Sequence, residues 1–382
     1  MIRYRGLTWD HPRGFNALAA AARRLEEQGS GIAIDWDRQP LEGFESHPLQ
    51  DLCARYDLVV LDHPHVGEAV AAGCLVPLEE MFGAGQLAAW ERDTIGPCFT
   101  SYRYAGRRWA LPLDAATQVM VLRPDLEEGP PATWDDVVAL SARVPVALSL
   151  AGPHAFLTFL SLAVAFGEPP AEAEAETLVS AGTGMRVLEV MATLYARMPP
   201  QARTLNPIGL LEAMAAGDDV RLCPLVYGYV TYATPSGGRR LALRFLDAPT
   251  AAAGGRPGST LGGTGIGVSR ACRVTPELTS HLAWLLSSQA QVTFIPAHEG
   301  QPSRREAWYD AALNDRCGRF FERTASTVER AYVRPRHDGY IGFQAEASGF
   351  LRDALDARAP HRRVLDRLQA GYAASRRPGA ER

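Results

Sequence analysis

Alternating and helical spacing of apolar residues follow one another from the first position. Ile2-Arg3-Tyr4-Arg5-Gly6-Leu7-Thr8-Trp9 alternates with a period of two, the pattern of a half-buried strand. Residues 15–28 are alanine-rich with arginines and glutamates at helical spacing, and Gly29 supplies a stop. Residues 32–36 read as a second strand, 48–56 as a short helix, and 57–61 as a fully buried third strand. Strands separated by helices predict parallel βαβ units with right-handed crossovers. Ligands in such sheets sit beyond the carboxyl ends of the strands, which singles out the loops at 9–12 and 62–65.

Further along, Leu111-Pro112-Leu113 reads as a passage out of a first lobe. Thr133 is placed to cap a helix, with Asp136 at the capping-box position. Residues 144–150 predict a strand, 151–154 the loop at its end, and 156–166 an apolar helix. The acidic stretch 168–176 reads as solvated surface. Helices are expected over 184–198 and 208–216, a strand over 221–226, a loop over 248–263, and a frayed tail over 375–382.

Composition narrows the function. A chain of 382 residues exceeds the size at which one core stops growing, so two lobes are expected. A net charge of −4 offers no basic field to nucleic acid or anionic lipid, and no apolar run is long enough to span a bilayer. There is no lysine, so all 39 basic side chains are arginines. That excludes Schiff-base chemistry, a lysine-held PLP and a Walker-type phosphate lysine. The six cysteines form no C-x-x-C pair and read as buried thiols, which favours a reducing compartment. Met1 leads directly into the first strand pattern. The expectation is therefore a cytoplasmic protein as the sequence stands, or a periplasmic or extracellular one if an export signal was removed.

Four stretches together resemble the extracellular solute-binding proteins of family 1, the carbohydrate class. The first is the strand at 57–61 followed by Gly73-Cys74-Leu75-Val76-Pro77-Leu78; the second is Tyr104-Ala105-Gly106-Arg107-Arg108-Trp109-Ala110-Leu111-Pro112. The third is Leu122-Arg123-Pro124-Asp125-Leu126 with Pro131-Ala132-Thr133-Trp134-Asp135-Asp136. The last joins Gly265-Ile266-Gly267-Val268-Ser269-Arg270, the segment 282–291, and Gly300-Gln301-Pro302-Ser303-Arg304-Arg305. The resemblance covers about three quarters of the chain. It implies an α/β class II periplasmic-binding-protein-like fold of two discontinuous lobes that close on ligand. The expected lobes are 1–112 with 245–298, and 113–240 with 302–382, with crossovers near 111–114, 239–245 and 296–302.

Carried over by position, the resemblance lines the cleft with Trp9, Asp10, His11, Asp62, His63, His65, Asp114, Gln118, Pro153, His154, Tyr227, Tyr229, Tyr232, Gly263 and Thr264. Flat aromatic surfaces suit the C–H face of a sugar, and planar polar groups suit its hydroxyls. Against this, each tyrosine also fits plain packing of the second lobe, and each histidine an ordinary loop residue bonded to backbone. Thr264 and His154 stand where relatives carry stacking aromatics, and the gathered histidines suit a small acidic ligand as well as a sugar. Asp62, His63 and His65 supply an incomplete metal site. No G-x-S-x-G or H-E-x-x-H signature occurs, so no catalytic residue, metal or cofactor is assigned. Two functions follow. The first is a monomeric binding protein that hands a small molecule to an ABC permease. The other is a cytosolic sensor or enzyme descended from the same fold.

Overall fold

The computed structural model describes residues 1–171, 177–217, 219–235 and 241–376. The opening strand β1 (Ile2–Trp9) leads into α1 (Pro12–Glu27), where His11 caps the helix by accepting from the Arg13 N–H. Strand β2 (Ile32–Gln39) pairs parallel with β1, as does β3 (Leu58–Leu61) on the other side. Between β2 and β3 lie two short helices, α2 (Leu41–Ser46) and α3 (Leu49–Cys53). Only the second was expected. The helix α4 (Val66–Ala72) follows β3 and stops at Gly73 in the left-handed region.

One long strand decides the architecture. All twelve residues of β4 (Leu111–Leu122) are buried. After α5 (Trp134–Leu140), α6 (His154–Ala165), α7 (Ala181–Arg197) and α8 (Pro207–Ala216) come β5 (Leu222–Tyr227), β6 (Arg244–Leu246) and β7 (Leu261–Val268). The first half of β4 pairs with β7, and its second half pairs with β5 and β6. The sheet order is β2-β1-β3-β7-β4-β5, with β6 also on β4. Leu111 and Leu113 pack in a core with Tyr4, Leu18, Ile34 and Ile266. Val119 to Leu122 pack in a larger core with Trp134, Phe159 and Tyr232. Thus β4 contributes to both cores, and its pairing register shifts between Pro112 and Asp114.

Residues 264 and 302 lie beside this stretch of β4. Thr264 pairs with Asp114, and Pro302 bridges the same residue. Gln301 donates to the Ala115 carbonyl and accepts from the Val230 N–H, so its buried amide ties this segment to β4 and to the turn after β5. Of the expected 239–245 crossover, residues 239 and 240 lie outside the described residues. Phe245 and Ala248 pack in the larger core, and the chain reaches the smaller one within β7.

Other expectations differ from the structure in instructive ways. Residues 144–150 form no strand; Val146 makes a single parallel bridge to Leu222, and the segment is buried by packing instead. Apolar continuity without a full ladder reads the same in sequence as a buried strand. The Thr133–Asp136 capping box is present in full. The surface stretch expected at 168–176 and the tail at 375–382 lie partly outside the described residues, at 172–176 and 377–382. The second lobe ends in α9 (Phe320–Glu329), α10 (Tyr340–Asp356) and α11 (His361–Ser375). No helix among the described residues is long and apolar enough to cross a membrane.

Candidate functional site

A cavity of about 60 Å³ lies between the lobes, at the carboxyl end of β1 and β3. Trp9 and Asp62 come to it from those strand ends, and Ala116, Gly262, Gly263 and Thr264 from the two strands that join the lobes. His154 at the start of α6, Pro207 at the start of α8, Tyr227 at the end of β5 and Tyr229 just beyond it supply the second lobe's wall. Leu41, Phe44 and Glu45 of α2 complete the lining. Phe44 packs on Trp9 at 5.3 Å between ring centroids, and Tyr227 meets the His154 ring edge-on at 5.7 Å.

Two glycines are required here. Gly263 has φ +87°, and a Cβ on it would stand 2.3 Å from the Asp114 carbonyl oxygen. A Cβ on Gly262 would stand 2.4 Å from the Tyr227 ring, which therefore reaches the cavity only because that position has no side chain.

Charge at the site is largely neutralised from within. Arg13, at the start of α1, sends Nε to Asp114 Oδ2 at 2.8 Å, Nη2 to Asp114 Oδ1, and Nη1 to the Gly228 carbonyl at 3.1 Å. Burial works against the guanidinium, but Asp114 more than offsets it and holds the charged form. Its cation also lies 4.7 Å from the Tyr229 ring centroid. Arg334, from the segment before α10, pairs with Asp62 and donates to the Leu261 carbonyl at 3.1 Å. Burial tends to raise the Asp62 carboxyl, yet Arg334 and His63 hold it well below the usual carboxylate range.

His63 is not a free imidazolium. Its Nδ1 lies 3.1 Å from Asp62 Oδ1, and its Nε2 accepts from the Arg334 backbone N–H at 3.2 Å. Burial first, and Arg334 second, lower it to about 4, so the ring is neutral at physiological pH.

Some buried polar atoms at the cavity have no hydrogen-bond partner. They are Trp9 Nε1, Thr264 Oγ1 and both ring nitrogens of His154. Glu45 Oε1 stands 3.2 Å from His154 Nε2, across the lobe boundary, but not in hydrogen-bonding geometry. Native interiors rarely leave such groups without a partner, and where they gather at a cavity they mark where a ligand's own polar groups belong.

The structure thus brings Trp9, Asp62, His154, Tyr227, Tyr229, Gly263 and Thr264 to one cavity, with Asp114 immediately behind, against Trp9, Arg13 and Thr264. The remaining expected residues stand elsewhere. Asp10 is exposed and paired with Arg38, and His11 caps α1 while packing edge-on against Tyr229. His65 is buried, with its Nδ1 2.8 Å from Glu68 Oε1, and is not part of the cavity wall. No group of three metal-ligating side chains occurs among the described residues. Gln118 is fully buried and accepts from Ser161 and Thr260. Tyr232 donates to Glu212 from within the larger core, and Pro153 is the cap residue of α6 outside the cavity wall.

Arg13, Leu41, Phe44, Glu45, Pro207 and Arg334 were not foreseen. Asn206-Pro207 carries a helix-start signal. The segment at 41–46 is too short for periodicity and has Gly43 inside it. Arg334 lies 272 residues from Asp62 along the chain, and no local pattern links them. A larger cavity, about 450 Å³, lies among α7, α10 and α11, with a floor of Leu188, Leu351, Leu355 and Val364, and takes in none of the expected site residues.

Two α/β lobes joined by adjacent strands, with unpartnered polar groups and aromatic rings facing each other across the junction, define a ligand-binding clamp. Residues 20–295 match the model of the bacterial extracellular solute-binding protein family, and the chain belongs to that family. Solved structures agree in fold. A solute-binding protein of an ABC transporter from Agrobacterium radiobacter, in complex with ribitol, is 20% identical with a TM-score of 0.81, over 97% of this chain and 98% of that one. Maltose-bound MalE3 of T. maritima is 17% identical with a TM-score of 0.82, over 97% and 99%. An ABC transporter solute-binding protein from Agrobacterium vitis with D-mannitol is 16% identical with a TM-score of 0.75, over 97% of each chain. The family binds solutes, so of the two functions raised by the sequence the binding protein is the one supported.

Proposed function

We propose that this chain is the solute-binding component of an ABC-type importer, and that it captures a small neutral polyol or short sugar between its lobes. The observation that carries this reading is the convergence of Trp9 Nε1, Thr264 Oγ1 and the His154 nitrogens, all without hydrogen-bond partners, on an interlobe cavity walled by Tyr227, Tyr229 and Phe44. Hydroxyl groups both donate and accept, and so match such a mixed set. An acidic ligand fits less well. Arg13, the arginine in the cavity wall, is committed to Asp114, Arg334 is committed to Asp62, and His63 is neutral. The ligands bound by the structural neighbours, ribitol, maltose and D-mannitol, point the same way.

The remaining space of about 60 Å³ is well below the roughly 300 Å³ at which ligand pockets begin, so entry needs the lobes to part. Hinge motion about the adjacent segments 112–115, 263–265 and 300–303 supplies that opening and sets the lobe boundary. Exposed large apolar side chains among the described residues are the scattered Met1, Val274 and Tyr309, which supports a monomer outside its permease complex. The family's extracellular setting supports export.

Calorimetry with ribitol, D-mannitol, maltose and a small dicarboxylate tests the reading. Binding of a polyol or sugar, with none of the dicarboxylate, is expected. Saturable dicarboxylate binding with no response to the neutral solutes would overturn it.

A further inference from the structure

The cavity of about 450 Å³ in the second lobe shares no residue with the interlobe site. Its volume falls in the range of small-molecule pockets, roughly 300–1,000 Å³. The floor is apolar: Leu188 of α7, Leu351 and Leu355 of α10 and Val364 of α11 are buried and belong to the larger core. The rim is basic, with Arg203, Arg358 and His361 set against a single carboxylate, Asp356. Asp356 is already engaged, since it accepts from the Tyr195 hydroxyl and lies 3.9 Å from Arg203 Nη1. The Arg203 guanidinium rests over the Tyr195 ring at 4.2 Å, yet its Nε is buried with no hydrogen-bond partner. A buried donor on a cation, left without an acceptor beside a cavity, marks where an acceptor belongs.

The backbone adds to this. The chain leaves α10 through a Schellman turn, in which the Arg358 N–H donates to the Leu355 carbonyl and the Ala359 N–H to the Ala354 carbonyl. Arg358 takes φ +49° there, the left-handed conformation for which glycine is the usual residue. An arginine holds the position instead, and its side chain lines the cavity. The same turn delivers the start of α11. Its cap, Pro360, supplies no side-chain acceptor and its first turn has no acidic residue, so the partial positive charge of that helix end is uncompensated.

We infer that this cavity is a second ligand site, for a small amphiphile with an apolar tail and a carboxylate head. The tail lies on the aliphatic floor, and the carboxylate meets Arg203 Nε, Arg358 and the start of α11. Charge-assisted hydrogen bonds of this kind are about twice as strong as neutral ones. The floor residues all belong to one packed core, so the site does not depend on lobe closure. A short dicarboxylate lacks the tail and a polyol lacks both tail and charge, so neither is a ligand for it.

Calorimetry of the full chain with octanoate tests the inference, with octanol as the uncharged counterpart. One octanoate per chain is expected, with octanol at least about tenfold weaker. Arg358→Gly suits the turn, and should keep the fold while weakening octanoate by about 2- to 5-fold, the worth of an exposed charge. Arg203→Met keeps a stem over Tyr195 and should weaken octanoate by about tenfold. Ala192→Phe, in the cavity wall on α7, should fill the space and abolish binding, with a cooperative thermal transition showing that the variant is folded. No saturable octanoate binding to wild type, octanol binding as tightly as octanoate, or unchanged affinity in folded Ala192→Phe would overturn the inference.

Discussion

Arg13 and Asp114 face each other across the cleft floor as a two-pronged ion pair, with each side chain only 4% exposed. The pair joins the first helix to the strand that runs through both lobes. Removing one partner leaves the other charge buried without compensation. Arg13→Ala or Asp114→Ala should each cost about 3–5 kcal/mol of stability. Replacing both together, as Arg13→Met with Asp114→Leu, should recover much of that loss. Urea unfolding of the three variants measures it; single variants as stable as wild type would contradict the pair's role.

Low pH should loosen the contact that Arg334 makes with Asp62 and His63. A histidine held at about 4 when folded, against about 6.5 when unfolded, binds its proton more readily in the unfolded chain. Its stabilising contribution is therefore complete above about pH 6.5 and is lost as pH falls towards 4. Asp62, held below its usual range, adds a loss in the same direction at still lower pH. Across the histidine window the expected drop is about 3 kcal/mol. Unfolding midpoints between pH 7.5 and 4.5 for wild type and His63→Gln should show a shallower slope in the variant.

Hydrogen-bond groups at the cavity can be separated from its packing. Trp9→Phe keeps a flat ring and removes the unpartnered Nε1 donor, and Thr264→Val keeps the shape and removes the hydroxyl. Each should weaken whichever polyol or sugar binds wild type by roughly 2- to 13-fold, the net worth of one hydrogen bond. Calorimetry reads the change directly. Unchanged affinity in both variants would place the ligand elsewhere.

Gly263 gives a sharper contrast. With φ +87° and Asp114 O 2.3 Å from any added Cβ, Gly263→Ala should lower stability by more than about 1 kcal/mol. Gly349 lies inside α10, and the nearest atom to an added Cβ is 3.8 Å away. Gly349→Ala should therefore gain about 0.5–1 kcal/mol. Thermal unfolding of the two variants side by side should move in opposite directions.

The sequence by itself determined the alternation of strand and helix in the first lobe, the capping box at Thr133 and the family. These are local or short-range matters: period, turn chemistry and cap residues repeat within a dozen positions. It also reached the loops after β1 and β3, because the carboxyl ends of parallel strands are where such sheets bind. Tertiary structure decided the rest. Asp62 and Asp114 were expected to meet a ligand's hydroxyls, but each is held by an arginine that only folding brings near, Arg334 from 272 residues away. His63 was expected to hold an anion, but the same arginine's backbone takes its second nitrogen and burial keeps it neutral. A strand pattern says that a residue is inward-facing, not which charge it will meet there. Charge pairing acts over a few ångströms in space, whatever the separation in sequence, so the electrostatics of this cleft emerge only when the two lobes are assembled.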